Sequence, residues 1–339
     1  MTSNKKIFNV GIIGCGLIGK KRSESLGDQG KLIACADIDL PKAKKLANLS
    51  NAKAYSDWTG LVKDKDIEIV IVSTLHDSLT PITCEAIKEG KHVLVEKPVS
   101  RNVKELSPLV EMIRNSDIKV RVGFNHRFHP AIAKAKGMVD QGILGELMYI
   151  RGRYGHGGRL GYEKEWRANP EISGGGELID QGPHLIDLSR WFLGSFSSIS
   201  GNARRFYWDM EVDDNCFMTL QTKEEKIAFL HVSCTEWKNI FSLEIYGRKG
   251  KLEITGLGGS YGKEKLIHYK MLPEMGVPEI KSWSFQDNDI SWEMEMKEFY
   301  KDIETNRSPE PGIKEAHEAL QVIETIYKES GYDFNKKSS

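Results

Sequence analysis

The chain has 339 residues, enough for two domains with cores of their own. Its 48 basic and 48 acidic residues cancel, so no global field draws it to nucleic acid or to an anionic membrane. No stretch approaches the roughly 18 consecutive apolar residues of a membrane span, and the five cysteines form no C-x-x-C pair, which suits free thiols in a reducing cytoplasm.

The first apolar run, over 7–13, reads as a buried parallel strand rather than a secretory signal, because it is rich in glycine and leads to Lys20-Lys21-Arg22 with no small-residue cleavage pattern. It enters Gly14-Cys15-Gly16-Leu17-Ile18-Gly19, a G-x-G-x-x-G turn. Gly14 allows the bend, Gly16 lets a pyrophosphate approach the backbone, and Gly19 lets a helix over 18–26 pack close with its N–H groups toward the phosphates. Cys15, Leu17 and Ile18 complete the expected dinucleotide contact. A second strand over 31–36 ends in Asp37, about 20 residues beyond the turn, where a ribose hydroxyl is gripped. Its charge repels a 2′-phosphate, so NAD is expected over NADP.

A helix over 41–49 begins on Pro41, and a strand over 67–73 ends at Ser73, Thr74, Leu75 and His76. A helix over 81–89 stops at Gly90, a strand over 92–95 ends in Glu96-Lys97-Pro98, and a helix over 103–115 precedes a strand over 119–124. This alternation predicts an α/β, doubly wound Rossmann domain over 1–126, with ligands at the carboxyl ends of its parallel strands. Asp37, Ser73, Thr74, Leu75, His76, Glu96, Lys97 and Asn125 collect at those ends and define the expected cofactor crevice. Over 127–334 the rhythm changes. A helix over 131–141 leads to strands over 147–154, 199–206, 216–222, 226–234, 241–246 and 251–255, with helices over 177–193, 291–305 and 313–330. Closely spaced strands with few helices between them predict an α+β domain with a large, mainly antiparallel open sheet. One face of that sheet is expected to be free for a partner subunit, and 335–339 to form a disordered tail.

Lys97 follows a buried strand and precedes a rigid proline, which favours a positioned lysine, able to donate to a substrate hydroxyl or carbonyl, over a solvated loop lysine. The second constellation is Ser-Gly-Gly-Gly-Glu-Leu-Ile-Asp-Gln-Gly-Pro-His-Leu-Ile-Asp over 173–187. Asp180, His184 and Asp187 follow i, i+4, i+7 spacing on one helix face, although Gly182-Pro183 must kink it. An imidazole beside a carboxylate is a workable general acid or base near pH 7, and equally a structural pair; the residues alone leave both open. Tyr154, Arg159, Trp166 and Arg167 precede the glycine triplet. The arginines could pair with the carboxylate or phosphate of a uronic or nucleotide-linked sugar, and Trp166 could stack on a sugar ring; the alternative is a core tryptophan and surface arginines. His76, His126 and His129 fall near the crevice, and His92 caps structure. No G-x-S-x-G elbow appears, which disfavours Ser-His-Asp acyl chemistry. The histidines lack ligand spacing, so no metal is expected.

Together these residues resemble the glucose–fructose oxidoreductase/inositol dehydrogenase/MocA (Gfo/Idh/MocA) family over almost the whole chain. The resemblance rests on the glycine turn and Asp37, on Gly90-Lys-His-Val-Leu-Val-Glu96-Lys97-Pro98, on Asn125-His-Arg127-Phe-His-Pro130, and on the segment over 173–187. It implies that Lys97 contacts the nicotinamide side and the substrate, that Asp180 positions the substrate with Arg127 nearby, and that His184 is the acid/base. It also implies a cis Lys97–Pro98 bond, sugars, cyclitols or their derivatives as substrates, and a homodimer or homotetramer built through the second sheet. One departure stands out: the family's T-P-N-x-x-H is replaced by Thr74-Leu75-His76 with Leu79 at the last position. The function expected is NAD-dependent interconversion of a secondary hydroxyl and a ketone (CH–OH chemistry) on a sugar, cyclitol or nucleotide-linked sugar. The alternatives are an NADP-linked keto-sugar reductase and a non-catalytic nucleotide-binding or sensing relative.

Overall fold

The structure is a computed structural model that describes residues 6–114, 116–286 and 288–332; the tail expected over 335–339 lies outside them. The chain divides into two compact units, one running to Phe124 with Trp292–Glu318 added, the other covering Asn125–Ser291 and the chain from Ala319.

The first unit holds six strands: β1 Phe8–Ile13, β2 Gly30–Ala36, β3 Lys53–Tyr55, β4 Ile69–Val72, β5 His92–Val95 and β6 Val120–Val122. They pair in parallel in the order β3-β2-β1-β4-β5-β6, the doubly wound arrangement. β4 is Ile-Val-Ile-Val and wholly buried, as a central strand covered on both faces must be. β3 and the helix Trp58–Val62 were not anticipated, being too short to show a period; Asp57 caps that helix by accepting from Thr59 N at 3.2 Å. The helix His76–Lys88 starts well before the expected 81. Pro81 forfeits one backbone bond inside it, but the buried face of Leu79, Ile82, Thr83, Ala86 and Ile87 holds the helix together.

The expected domain boundaries need correction at the far end. The helix Ser291–Glu304 was assigned to the second domain, yet from Trp292 onward it belongs to the first unit. Met296, Phe299 and Tyr300 join the core of Phe8, Leu26 and Ile69, and the Tyr300 ring stacks on Phe8 at 5.4 Å. Buried charges pair there too: Arg121 with Asp302, and Arg22 with Glu295 at 2.6 Å. A remote segment supplying a core layer leaves no local trace in the sequence.

The second unit holds β7 Leu147–Gly155, β8 Phe196–Arg204, β9 Asn215–Thr222, β10 Ile227–Ser233, β11 Ile240–Gly247, β12 Gly250–Thr255, β13 Lys265–Lys270 and β14 Glu279–Ser284. The sheet order is β14-β13-β12-β11-β7-β10-β9-β8, and every pair is antiparallel except β7 with β10. β13 and β14 extend it beyond the expected set; β14 is almost wholly exposed, so it carries no alternating signal. β11 alternates strictly between buried and half-buried residues. The helix Gly182–Leu193 lies on the buried face, where Gly152 of β7 leaves room for Leu185.

Burial pushes the Glu295 carboxyl up to about 7, with Arg22 pulling it back. An unfolded glutamate releases its proton near pH 4.3. The folded state therefore keeps a proton that the unfolded state has lost, and this contribution to stability is complete below about pH 4 and disappears as pH rises through 7. Tm is expected to fall between about pH 5 and pH 8, and Glu295→Gln to flatten that decline; calorimetry at fixed ionic strength checks it.

Candidate active site

The glycine turn of the first unit is built by close backbone contact. Gly14 has φ +90°, donates to Ala36 O at 2.9 Å, and would place a Cβ 2.4 Å from Ser73 O. A Cβ on Gly19 would lie 1.9 Å from Gly14 O, so only glycine lets the helix Leu17–Glu24 seat against the turn. A Cβ on Gly16 meets nothing within 4 Å. That open space over bare backbone is what a pyrophosphate needs. Asp37, at the end of β2, accepts from Cys15 N at 2.8 Å and from Asp39 N at 2.9 Å, which fixes its carboxylate beside the turn. Ser73 Oγ donates to Gly14 O at 2.8 Å. Cys15 donates its thiol to Ala36 O at 3.4 Å, and Cys35 together with burial pushes that thiol far up, so it stays protonated. Leu17, Ile18, Thr74 and Leu75 keep exposed surface near the turn, whereas His76 is buried at the start of its helix. These residues fit a dinucleotide: the backbone at Gly16 for the pyrophosphate and Asp37 for a ribose hydroxyl.

Lys97 leaves the end of β5, half-buried, with a cis bond to Pro98. Glu96 N donates to Val72 O at 2.9 Å, and Val99 N donates to Glu96 O at 3.1 Å. Val99 adopts φ +77°, an uncommon state for a β-branched residue, and its carbonyl accepts from Thr80 Oγ1 at 2.8 Å. Two residues expected in the cofactor crevice are otherwise engaged. The Glu96 carboxylate accepts from Arg22 Nε at 2.6 Å, and Asn125, counted with the second unit, donates to Ser291 Oγ at 2.8 Å.

In the second unit the helix expected over 177–193 breaks into Glu177–Asp180 and Gly182–Leu193, as Gly182-Pro183 required. Asp180 and His184 therefore stand on different helices. Asp187 takes a bidentate pair from buried Arg127, at 2.8 and 2.7 Å, which ties the start of the second unit to this helix. The His184 ring stacks on His126, centroids 3.7 Å apart, with Tyr154 at 6.0 Å. Asp180 accepts from Arg167 Nε at 2.8 Å, and the Arg167 guanidinium lies over the Trp166 ring at 4.5 Å. Glu165 stands 3.7 Å from Arg167 and pairs with Arg159 at 2.6 Å. Both arginines are thus matched by carboxylates of their own unit. Burial pushes the Tyr154 phenol up, and Tyr261 to about 12, so both remain donors at neutral pH.

The sequence did not reveal Tyr261, His126 as a stacking partner, or Glu177, whose buried carboxylate lies 3.5 Å from Tyr162 Oη and 3.6 Å from His156 Nε2. Glu177 sits inside the glycine-triplet segment, and a charged residue framed by apolar ones was the available signal. His129, expected near the crevice, pairs with Glu264 at 3.1 Å where the helix Pro130–Asp140 begins. His92 accepts from Lys119 N at 3.0 Å, a structural cap. Among the described residues no group of three or more His, Cys, Asp or Glu side chains is arranged to hold a metal, and no helix is long and apolar enough to cross a membrane.

Comparison with known proteins assigns both units. Residues 8–124 match the family model described as oxidoreductase family, NAD-binding Rossmann fold, and 132–253 match the GFO/IDH/MocA C-terminal domain. YrbE of Bacillus subtilis, described as an oxidoreductase, is 30% identical over 264 residues, 74% of this chain and 72% of that protein. The chain belongs to the Gfo/Idh/MocA oxidoreductase family. Levoglucosan dehydrogenase of Pseudarthrobacter phenanthrenivorans is another family relative, 30% identical over 207 residues, 57% of this chain and 53% of that protein's own length. A solved levoglucosan dehydrogenase in complex with NADH superposes with a TM-score of 0.86 at 20% identity, covering 96% of this chain and 97% of that one, which shows the family fold. The glycine turn is accordingly that of an NAD-binding Rossmann domain.

The turn's two kinds of glycine predict opposite phenotypes. Gly16→Ala is expected to keep Tm within about 1 °C yet weaken NAD binding about tenfold or more, because the new methyl occupies the open space. Gly19→Ala is expected to lower Tm by several degrees through overpacking, at about 2–4 °C per kcal/mol. Thermal melts with and without NAD separate the two.

Proposed function

We propose that this chain is an NAD-dependent oxidoreductase that interconverts a secondary hydroxyl and a ketone on a neutral sugar or cyclitol, working in the cytoplasm as a homodimer or homotetramer through the second unit's sheet. The observation that carries the reading is the fixed Asp37 carboxylate beside an open Gly16 backbone, in a family whose relatives include proteins named levoglucosan dehydrogenase and inositol 2-dehydrogenase. Bound NAD supplies the hydride acceptor. Asp37 holds a ribose hydroxyl. The Lys97 ammonium donates to the reacting oxygen and lowers the cost of charge developing there. Asp180, oriented by Arg167, accepts from a substrate hydroxyl. His184, its ring plane fixed by stacking on His126, removes or returns the hydroxyl proton.

The preference for a neutral substrate follows from the arginines. An acidic sugar needs a guanidinium whose donors face the ligand. Arg167 and Arg159 are instead matched by Asp180 and Glu165, and a carboxylate brought to this cluster meets two more. Hydroxyl-rich rings need only the donors and acceptors that Tyr154, Tyr261 and Asp180 offer.

The test is NADH formation at 340 nm across levoglucosan, myo-inositol, glucose, glucuronate and nucleotide-linked sugars, with NAD and NADP compared. Turnover is expected with neutral polyols and NAD; preference for glucuronate or for NADP would contradict the reading. His184→Asn and Lys97→Ala are each expected to lower kcat about 100-fold or more while NAD still raises Tm. If both variants keep full turnover, the assigned chemistry is wrong.

A further inference from the structure

The buried cluster Arg22, Glu96 and Glu295 lies wholly within the first unit. Arg22 belongs to the helix Leu17–Glu24 just after the glycine turn, Glu96 immediately precedes Lys97, and Glu295 comes from the remote helix Ser291–Glu304. Arg22 and Glu295 side chains are fully shielded from solvent, and Glu96 nearly so. Arg22 donates through Nε to Glu96 at 2.6 Å and through Nη1 to Glu295 at 2.6 Å, while its guanidinium lies over the Trp292 ring at 4.4 Å. The fit is tight. A Cβ on Gly123 would sit 2.7 Å from both Arg22 Nη2 and Glu96 Oε2, so the paired charges rest directly on bare backbone at the end of β6.

A guanidinium buried among apolar walls is costly unless both ends are satisfied, and a core needing only apolar packing has no use for one. Its placement matters because Glu96 is the last fixed point before Lys97. Beyond it the backbone turns through the uncommon Val99 conformation, held by Thr80.

We propose that Arg22, anchored by Glu295, is a positioning residue for Lys97: by gripping the Glu96 carboxylate it fixes the strand end from which the lysine ammonium is presented. The proposal rests on the catalytic role given to Lys97 above. It concerns a link between the nucleotide-turn helix and the lysine-bearing loop that no motif encodes. Removing Arg22 frees Glu96 and lets the loop shift, and a shift of about 1 Å at a reacting group costs about a hundredfold in rate. Asp37 is held by Cys15 N and Asp39 N, outside this cluster, so NAD affinity is expected to stay.

The experiment compares Arg22→Met, Glu295→Leu, Glu295→Gln and Lys97→Ala with the unaltered full chain; Glu295→Leu breaks the same grip should Arg22→Met not fold. Amide hydrogen exchange over 92–100 is read on the protein alone, NAD binding by titration calorimetry, and kcat and KM with myo-inositol or levoglucosan, whichever is turned over faster. The expected result in Arg22→Met and Glu295→Leu is exchange over 92–100 about tenfold faster or more, kcat down about a hundredfold, and Kd for NAD within about threefold of normal. Glu295→Gln, whose amide oxygen still accepts from Arg22, stays close to the unaltered protein. Unchanged exchange over 92–100 in a folded variant overturns the proposal, as does full kcat with a loosened loop, or NAD affinity falling in step with kcat. Lys97→Ala keeps the two ideas apart: if it retains turnover the lysine's role fails, while the exchange data still decide whether Arg22 holds the loop.

Discussion

The nucleotide end of the first unit depends on a contact too close for any side chain. Gly19 lies so near the carbonyl of Gly14, and Gly14 so near that of Ser73, that strand β1, the turn, the helix after it and the residue following β4 meet through bare backbone. These approaches are made of peptide groups, and the space over Gly16 stays clear, where a helix start offers its N–H groups to an anion. Asp37 closes the arrangement from β2 by bonding Cys15 N. Chemistry at this end is thus a consequence of packing: the same constraint that seats the helix also makes the anion site.

The second unit is organised by paired charge. Arg127 braces Asp187, Arg167 holds Asp180, and Arg159 meets Glu165. Each pairing changes what the residue can offer a ligand. A guanidinium in a bidentate pair with a buried carboxylate is a structural tie, while a carboxylate oriented by a guanidinium can still accept further hydrogen bonds. His184 gains orientation from the face of another imidazole. The proposed choice of neutral rings over acidic ones comes from this local neutralisation.

Much of this was legible in the sequence. β1, β2, β4 and β5 are apolar runs that end in turn or polar residues, and the G-x-G-x-x-G motif with Asp37 after β2 carries its own mechanism. The break at Gly182-Pro183 was readable from proline alone. What escaped notice has physical reasons. β3 spans Lys53–Tyr55 and is too short for a period, and β14 is exposed on nearly every residue. The residues from Trp292 join the first unit through Phe299, Tyr300 and Glu295, whose partners lie hundreds of residues away in the sequence. The i, i+4, i+7 spacing gives no sign that Asp187 is paired by Arg127, 60 residues away in sequence. Spacing along a helix tells which side chains can meet, not which third residue wins one of them.

Hydride transfer between the carbon of a neutral polyol and NAD, the activity proposed for this chain, leaves an isotopic signature. The most direct measurement is isotope transfer: incubate the protein with NAD and carbon-deuterated myo-inositol or levoglucosan, and weigh the reduced nicotinamide by mass spectrometry. NADH heavier by one deuterium, formed in step with the ketone, is the expected result. Reduced cofactor without the label, or ketone formed while NAD is left unchanged, would contradict it.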